Sequence, residues 1–358
     1  MGEFFDIEVL PAQRGDSLWI EYGNAQQTCR ILIDGGITRT GRDLLVKRVA
    51  DLGPRPHFDL VIVTHIDLDH ILGVIAMFKE LPADAVVDRV WFNGWDQLPA
   101  DPLVPQGVAE GIELSGLIAA RHAAAWNKKA IALDANGKPT VHPLPLTMMV
   151  TVLSPNVDKL LALQAVWEPL VEEFGVGQAA ADEGVADEDL EIPGLVPMGP
   201  EEIDVVALAE SKFKEDDTVP NGSSIAVMLE FAGKRALMLA DAHPKLVLGS
   251  IQALSPAGRL HVDCVKLSHH GSRNNTHREL IQALQSPLWI LSSNGASTKH
   301  PHLESVARVL HDCPGRKKLV FNYKTKYNDG WEDDTLMGDF DYEVEYGDGE
   351  SAVKVPLL

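Results

Sequence analysis

The apolar positions of this chain fall into short β-branched runs separated by longer segments of helical period. Residues 7–11 and 12–22 read as two strands. Leu18, Ile20 and Tyr22 recur at every second position after a turn at Gly15-Asp16. A third strand over 30–36 ends in Asp34-Gly35-Gly36. Leu45, Val49 and Leu52 lie on one face of a helix over 41–52. Residues 60–63, Leu-Val-Ile-Val, form an unbroken apolar run suited to a strand buried on both faces, and 71–78 continue as a helix. Further strands are predicted over 86–91, 146–155, 262–268 and 287–293, the last of these being the final buried strand. A hairpin spans 219–243 and turns at 232–235, a helix begins near Pro244, and others cover about 112–128 and 303–311. This alternation predicts a layered α/β fold.

Composition narrows the picture. The 358 residues are 45% hydrophobic, enough for a large core, and no stretch approaches the ~18–20 apolar residues of a membrane span. The N-terminus lacks the basic and apolar regions of a signal peptide, so a cytoplasmic protein with no membrane partner is expected. Cys29, Cys264 and Cys313 are isolated from one another and read as buried thiols. The formal charge of −21 opposes general affinity for nucleic acid, although metals and a local basic patch could set the field at a site.

Candidate chemistry gathers where apolar runs end. His65, Asp67, Asp69 and His70 follow the 60–63 run within six residues, an imidazole and carboxylate set suited to divalent metals. On period-two geometry His65 and Asp67 grip one ion, while Asp69 and His70, turned by the helix start, reach a second. The plainer reading is a polar loop with Asp69 as helix N-cap. Asp241 closes the second strand of the hairpin, and its plainer reading is likewise an N-cap. His269 and His270 end the 262–268 strand; if extended they point apart, one to a metal and the other to phosphate or a proton path, with their order left open. Asn221, Ser272 and Asn275 supply neutral donors for substrate, and Asn274 lies beside them. His300, with Lys299 beside it, can reach the site, whereas His302 reads as a capping residue. His122 and His142 have no ligand neighbours and read as surface residues, and Asp16 and Asp34 could be plain turn acids.

The segment Thr64-His65-Ile66-Asp67-Leu68-Asp69-His70 resembles the H-x-H-x-D-H signature of the metallo-β-lactamase superfamily, with Asp67 in place of the second His. That exchange, the Gly-Asp turn at 15–16, the Leu-Ile-Asp-Gly-Gly strand end and Val265-Lys266-x-x-His269-His270-Gly271-Ser272 resemble the hydrolase domain of bacterial competence DNA-uptake channel proteins. It argues against β-lactam hydrolysis. The resemblance covers roughly 5–312 and implies a four-layer αββα sandwich over 1–315, with a C-terminal tail, 316–358, packed on it. It implies two divalent metal ions, Zn²⁺ or Mn²⁺, held by His65, Asp67, Asp69, His70, Asp241 and one or both of His269 and His270. Asp241 would bridge the ions, and Asp34 would support the ligand loop. The activity implied is metal-dependent hydrolysis, foremost that of a nuclease or phosphodiesterase acting on DNA or RNA. Metals lower the pKa of a bound water from about 15.7 to near ~7. Asp69 would orient or deprotonate that water, and Lys299, His270 or His300 would assist the leaving group. The alternatives are a hydrolase of a small ester, lactone or cyclic nucleotide, or a binding protein whose metals are structural.

Two regions lie outside the resemblance. Residues 172–217 are rich in acids without a periodic apolar face and read as a mobile insertion. It could stand in for a phosphate backbone beside the metals and be released by a protease or regulator cutting near 178–181, or be a solvated loop. In the tail, Arg316-Lys317-Lys318 and Lys324-Thr325-Lys326 lie among Tyr323, Tyr327 and Trp331, a mixture that suits single-stranded nucleic acid or the protection of an edge strand.

Overall fold

Successive residues of the central strands belong to different cores, and this alternation builds the layers. In the strand Thr28–Ile33, Ile31 and Ile33 join one cluster and Leu32 another; in Leu60–Ile62, Leu60 and Ile62 divide from Val61 in the same way. The computed structural model describes residues 2–98, 109–174, 203–296 and 298–358. Among them a six-stranded sheet runs in the order Val353–Pro356, Phe4–Val9, Leu18–Gly23, Thr28–Ile33, Leu60–Ile62, Val90–Trp91. An eight-stranded sheet runs Tyr342–Tyr346, Lys317–Phe321, Leu288–Leu291, Cys264–Lys266, Lys234–Met238, Ala226–Phe231, Met149–Ser154, Thr140–Pro143. Each sheet is part parallel and part antiparallel: Leu60–Ile62 lies parallel to both neighbours, as do Cys264–Lys266 and Leu288–Leu291.

The inner faces of the sheets meet in one apolar core, where Phe5, Ile7, Ile20 and Ile62 pack with Val150, Val227, Met238 and Ile290. The outer face of the first sheet is covered by the helices Leu68–Glu80 and Ala109–His122 through Ile71, Val74, Phe78, Leu114 and Ile118. The outer face of the second carries Pro244–Leu254, Arg278–Gln282 and Leu303–Asp312 through Val247, Ile251, Leu280, Val306 and Val309. The molecule is therefore the four-layer αββα sandwich expected of a metallo-β-lactamase fold. Burial of a Val, Leu or Ile side chain contributes about 1.5–3 kcal/mol, so these three cores supply the main stabilisation.

Several elements differ from the sequence reading. The chain after 316, expected as a tail packed on the domain, supplies two strands of one sheet and an edge strand of the other. Leu288–Leu291 is consequently not the final buried strand: Lys317–Phe321, with Leu319, Val320 and Phe321 buried, pairs beside it. Its alternation is interrupted by lysines, which hides it among basic residues. The acidic segment also divides. Residues 175–202 lie outside the described residues, and so does most of the expected mobile insertion. Beyond them, Val205–Glu210 is a helix capped by Asp204, whose Oδ1 accepts from Ala207 N at 2.9 Å. Val205 and Ala209 bury into the second outer core, so this part of the segment is ordered. The expected helix over 41–52 is Gly41–Leu45 in a π turn followed by Val46–Asp51. Gly41 lies against the backbone of Gly73, where any side chain would collide. No helix among the described residues is long and apolar enough to cross a membrane, and the three cysteines are buried and free.

Candidate active site

The site forms where parallel strands of both sheets end. After Leu60–Ile62 the chain stays extended to Thr64, whose N–H and hydroxyl donate to the two oxygens of Asp34 at 2.8 and 2.7 Å. Asp34 Oδ2 also accepts from His70 Nδ1 at 2.8 Å. This carboxylate, at the end of the neighbouring strand, gathers the start and the finish of the 64–70 loop, the supporting role the resemblance implied. His65 Nδ1 lies 2.9 Å from the Thr64 hydroxyl, which is already donating to Asp34, so the imidazole N–H is the donor. That tautomer leaves the His65 Nε2 lone pair facing the cleft. His70 has the same orientation, imposed by Asp34, and Asp16 imposes it on His270 through an Nδ1 contact of 3.1 Å.

Three imidazoles thereby present Nε2 to Asp241. Its Oδ2 lies 3.5 Å from His70 Nε2, 3.7 Å from His270 Nε2 and 3.9 Å from His65 Nε2. His65 Nε2, His70 Nε2, His270 Nε2 and Asp241 Oδ1 are all buried without a hydrogen-bond partner. Buried polar atoms are nearly always partnered, so three orphaned imidazole nitrogens gathered around one buried carboxylate mark a place made for a cation. Two ligands of one tetrahedral ion with bonds of ~2.1 Å stand ~3.4 Å apart, close to the spacing seen here. Burial opposes charge on His70, but Asp241 and Asp34 outweigh it and hold its pKa well above the usual value. Asp241 is likewise disfavoured as an anion by burial and held well below the carboxylate range by His70, His270 and His269. A divalent cation would replace these protons.

Asp67 and Asp69 stand at the open side of the cluster. Asp67 Oδ2 is 3.5 Å from His65 Nε2, and Asp69 Oδ2 is 3.7 Å from His270 Nε2, with side chains 38% and 25% exposed. His65 and Asp67 are neighbours as the spacing predicted. The other expected pair is not: Asp69 stands by His270, while the His70 ring lies between those of His65 and His270, at 4.2 and 5.2 Å. The N-cap position of the helix Leu68–Glu80 is Asp67, not Asp69. Gly15 passes so close to the Asp69 carbonyl that any side chain would collide, which locks the 12–16 turn against the ligand loop.

No family model matches the chain. It is 30% identical over 133 residues to "ComE operon protein 3" of Bacillus subtilis (strain 168), a match that takes in 37% of this chain and 16% of that protein. The chain thus spans a small part of that relative's length. Among solved structures, CmlA, a diiron β-hydroxylase from Streptomyces venezuelae, superposes with a TM-score of 0.40 and 12% identity, over 100% of this chain and 54% of that one. A mutant of the same enzyme gives 0.40 and 11%.

The two adjacent histidines were expected to point apart. Instead His269 and His270 both adopt left-handed backbone, φ 48° and 54°, in the turn Ser268–Gly271, and both rings face Asp241. His269 Nε2 lies 3.8 Å from Asp241 Oδ2. The two still differ. His270 is buried with its Nε2 unpartnered, whereas the His269 side chain is 24% exposed and its Nδ1 donates to Asn275 Oδ1 at 3.0 Å. His270 therefore belongs with the buried donors, and His269 borders the opening.

The residues expected to contact substrate are used differently. Asn221 Nδ2 and Asn275 Nδ2 both donate to Asp216 Oδ2, at 2.7 and 3.0 Å. Asp216 Oδ1 accepts from Thr218 N at 2.9 Å and from its hydroxyl at 2.8 Å. Burial raises the Asp216 pKa, but His269, whose Nδ1 also lies 3.5 Å from Asp216 Oδ2, together with Asn221, Asn275 and Thr218 outweighs it and holds Asp216 far below the carboxylate range. Asn221 and Asn275 thus frame His269 and do not present free donors to a ligand. The Ser272 hydroxyl accepts from Asn274 N at 3.2 Å and serves its own turn. Lys299 is exposed in a left-handed conformation, φ 60°, and among the described residues no hydrogen bond or ion pair joins it to the cluster. His300 is 4% exposed, its ring 5.0 Å from that of His269 and 6.2 Å from that of His270. Burial and the neighbouring His269 push its pKa down to about 2, which keeps it neutral. His302 occupies the N-cap position of Leu303–Asp312, but its Nδ1 accepts from Arg273 N at 3.1 Å and makes no cap bond. His122 and His142 lie far from the cluster in sequence and pack their rings on Phe78 and Trp91; His122 is buried.

Two residues of the site were given no role by the sequence reading, Lys266 and Asp216. Lys266, fully buried within a strand, forms an ion pair with Asp16, whose other oxygen orients His270. Burial raises the Asp16 pKa, but Lys266 and His270 outweigh it and carry it well below normal. A lysine inside an apolar strand was the available signal. Asp216 carried none, because it belongs to an acidic run. In the last segment the aromatic residues turn inward, whereas Arg316, Lys324 and Lys326 stay exposed. Trp331 is buried, the Tyr323 hydroxyl accepts from Gln13 N at 2.8 Å, and Lys324 pairs with Glu332. Lys318 and Arg316 pair with Glu345 and Glu343 at 2.6 and 3.2 Å, acids of the neighbouring strand.

Proposed function

We propose that this chain is a metal-dependent hydrolase that cleaves phosphodiesters of DNA or RNA. The observation that carries the reading is the convergence of three buried, unpartnered imidazole nitrogens, His65 Nε2, His70 Nε2 and His270 Nε2, on Asp241 Oδ2, beside two carboxylates left open to solvent. In this reading His65, Asp67, Asp69, His70, Asp241 and His270 hold two divalent cations, with zinc or manganese compatible with a set that mixes imidazole and carboxylate. Such cations supply positive charge for the phosphodiester oxygens and a water more acidic than bulk water. Asp69, at the opening, accepts the proton of the attacking water. His269, fixed through Nδ1, meets the substrate oxygen from the other side. His300, neutral and enclosed, excludes water behind His269. The choice of a nucleic acid rests on the resemblance of the 64–70 and 265–272 motifs to the competence-type hydrolases, and the partial match to "ComE operon protein 3" is in keeping with it.

The test is a cleavage screen over single-stranded DNA, duplex DNA and RNA, with chelated protein and with protein reloaded with Mn²⁺ or Zn²⁺. Metal-dependent cleavage that disappears in Asp67→Ala is the expected result. Turnover confined to small esters, lactones or cyclic nucleotides would replace this substrate class.

A further inference from the structure

At the other end of the first sheet a second group of donors meets. The strand pair His57–Phe58 and Val86–Val87 runs parallel, and Asp88 N donates to Phe58 O at 3.0 Å, which brings Asp88 beside His57. Asp59 follows directly, fixed to the neighbouring strand by its own N–H to Arg30 O at 2.9 Å and by its Oδ2, which accepts from Arg30 N at 2.7 Å. One ring nitrogen of His57 and one carboxylate oxygen from each of Asp59 and Asp88 all lie within 4.8 Å of one another. The six residues from Asp59 to His65 run through the extended strand, a reach of ~20 Å, so this group is separate from the active-site cluster.

A surface ion pair explains two of the three residues. His57 Nε2 and Asp88 Oδ2 are 2.9 Å apart, with side chains 40% and 48% exposed. It does not explain Asp59, which is 2% exposed and whose Oδ1 is buried without a partner. The Cys29 thiol borders it, a weak donor shared between Asp59 and the Tyr22 hydroxyl. Burial pushes the Cys29 thiol up to about 11, and Asp59 adds to that shift, so it stays neutral and offers no compensating charge. Asp59 is thus a buried carboxylate held by one backbone N–H and a weak thiol donor, next to an imidazole and a second, solvent-open carboxylate, a setting in which a cation supplies the charge the neighbours lack.

We propose that His57, Asp59 and Asp88 form a second divalent-cation site, of zinc type. One imidazole with two carboxylates suits Zn²⁺ and leaves a position for water at the exposed side. Bound there, the ion ties the 57–59 and 86–88 segments to the strand Thr28–Ile33. The proposal does not depend on the hydrolase reading.

It is tested by loading the 358-residue chain with Zn²⁺, removing free metal by gel filtration and counting metal in the wild type, His57→Ala and Asp88→Asn. Both substitutions are at exposed side chains and leave the fold intact; Asp59→Asn serves as a third variant, since it removes the buried charge itself. The expected result is one fewer zinc equivalent in each variant, with the metal bound at the 64–70 cluster retained and Co²⁺ absorption of that cluster unchanged. An unchanged zinc count in His57→Ala and Asp88→Asn, or binding seen only at millimolar zinc, overturns the site.

Discussion

The 64–70 loop and the pair Asp241 and His270 face the same cleft, yet they reach it by different routes. The first supplies His65, Asp67, Asp69 and His70 from consecutive turns of one strand end, and a single carboxylate, Asp34, holds both ends of it. The second is assembled across the other sheet. Asp241 follows the strand Lys234–Met238 and His270 follows Cys264–Lys266, which pairs with it in parallel. His270 is then oriented from the opposite sheet, through Asp16 and the Lys266 ion pair. A contiguous ligand set survives as a pattern in the chain. A set assembled across two sheets depends on buried charge to keep its members in register.

The comparison is broken most directly by removing one donor from each route. His70→Ala and Asp241→Ala should each lower turnover by on the order of 10³-fold or more, because several kcal/mol of charge stabilisation are lost and each 1.36 kcal/mol is tenfold. Steady-state rates with metal counts would show it, and wild-type turnover in either variant would sink the site assignment.

Next in size is the buried pair behind His270. Lys266→Met leaves Asp16 as an uncompensated buried charge and should cost about 3–5 kcal/mol in urea unfolding. Adding Asp16→Asn should recover part of that loss, since the two groups act on one another. If Lys266→Met is as stable as wild type, the ion pair does not organise this half of the site.

Asp216→Ala should reduce turnover by roughly 10–100-fold with metal content retained, as expected of a group that orients a neighbour of the metals. A parallel fall in bound metal would instead make Asp216 a ligand support.

Smaller effects sharpen the rim. His300→Ala should cost more than His302→Ala, because His300 encloses His269 whereas His302 serves the Arg273 turn. Lys299→Ala and Ser272→Ala should stay within about twofold in rate, the range of substitutions that remove no buried interaction with the cleft. A large loss in Lys299→Ala would return it to the catalytic group in which the sequence placed it.

Much of this molecule is written locally. The period-two strands at 7–22, the apolar run at 60–63 and the helical faces at 45–52 and 71–78 specify layers, because the period of burial is a property of neighbouring residues. The ligand loop is legible for the same reason: residues 65–70 are close in space because they are close in sequence. The buried strand Lys317–Phe321 was hidden by its two lysines: Lys318 finds its acid, Glu345, only on the neighbouring strand Tyr342–Tyr346, and Lys317 donates to the carbonyls of Cys313 and Gly315.

What the chain cannot express locally is which distant groups share a desolvated space. The left-handed turn that aims His269 and His270 together and the placing of Asp216 against Asn221 and Asn275 come into being only when distant segments pack around the second sheet, and the contact of Lys266 with Asp16 only when the two sheets close. Sequence determined that His, Asp and strand ends would combine. Tertiary packing decided which oxygens and nitrogens were left without partners, since only burial makes an unpaired donor costly enough to mark a site.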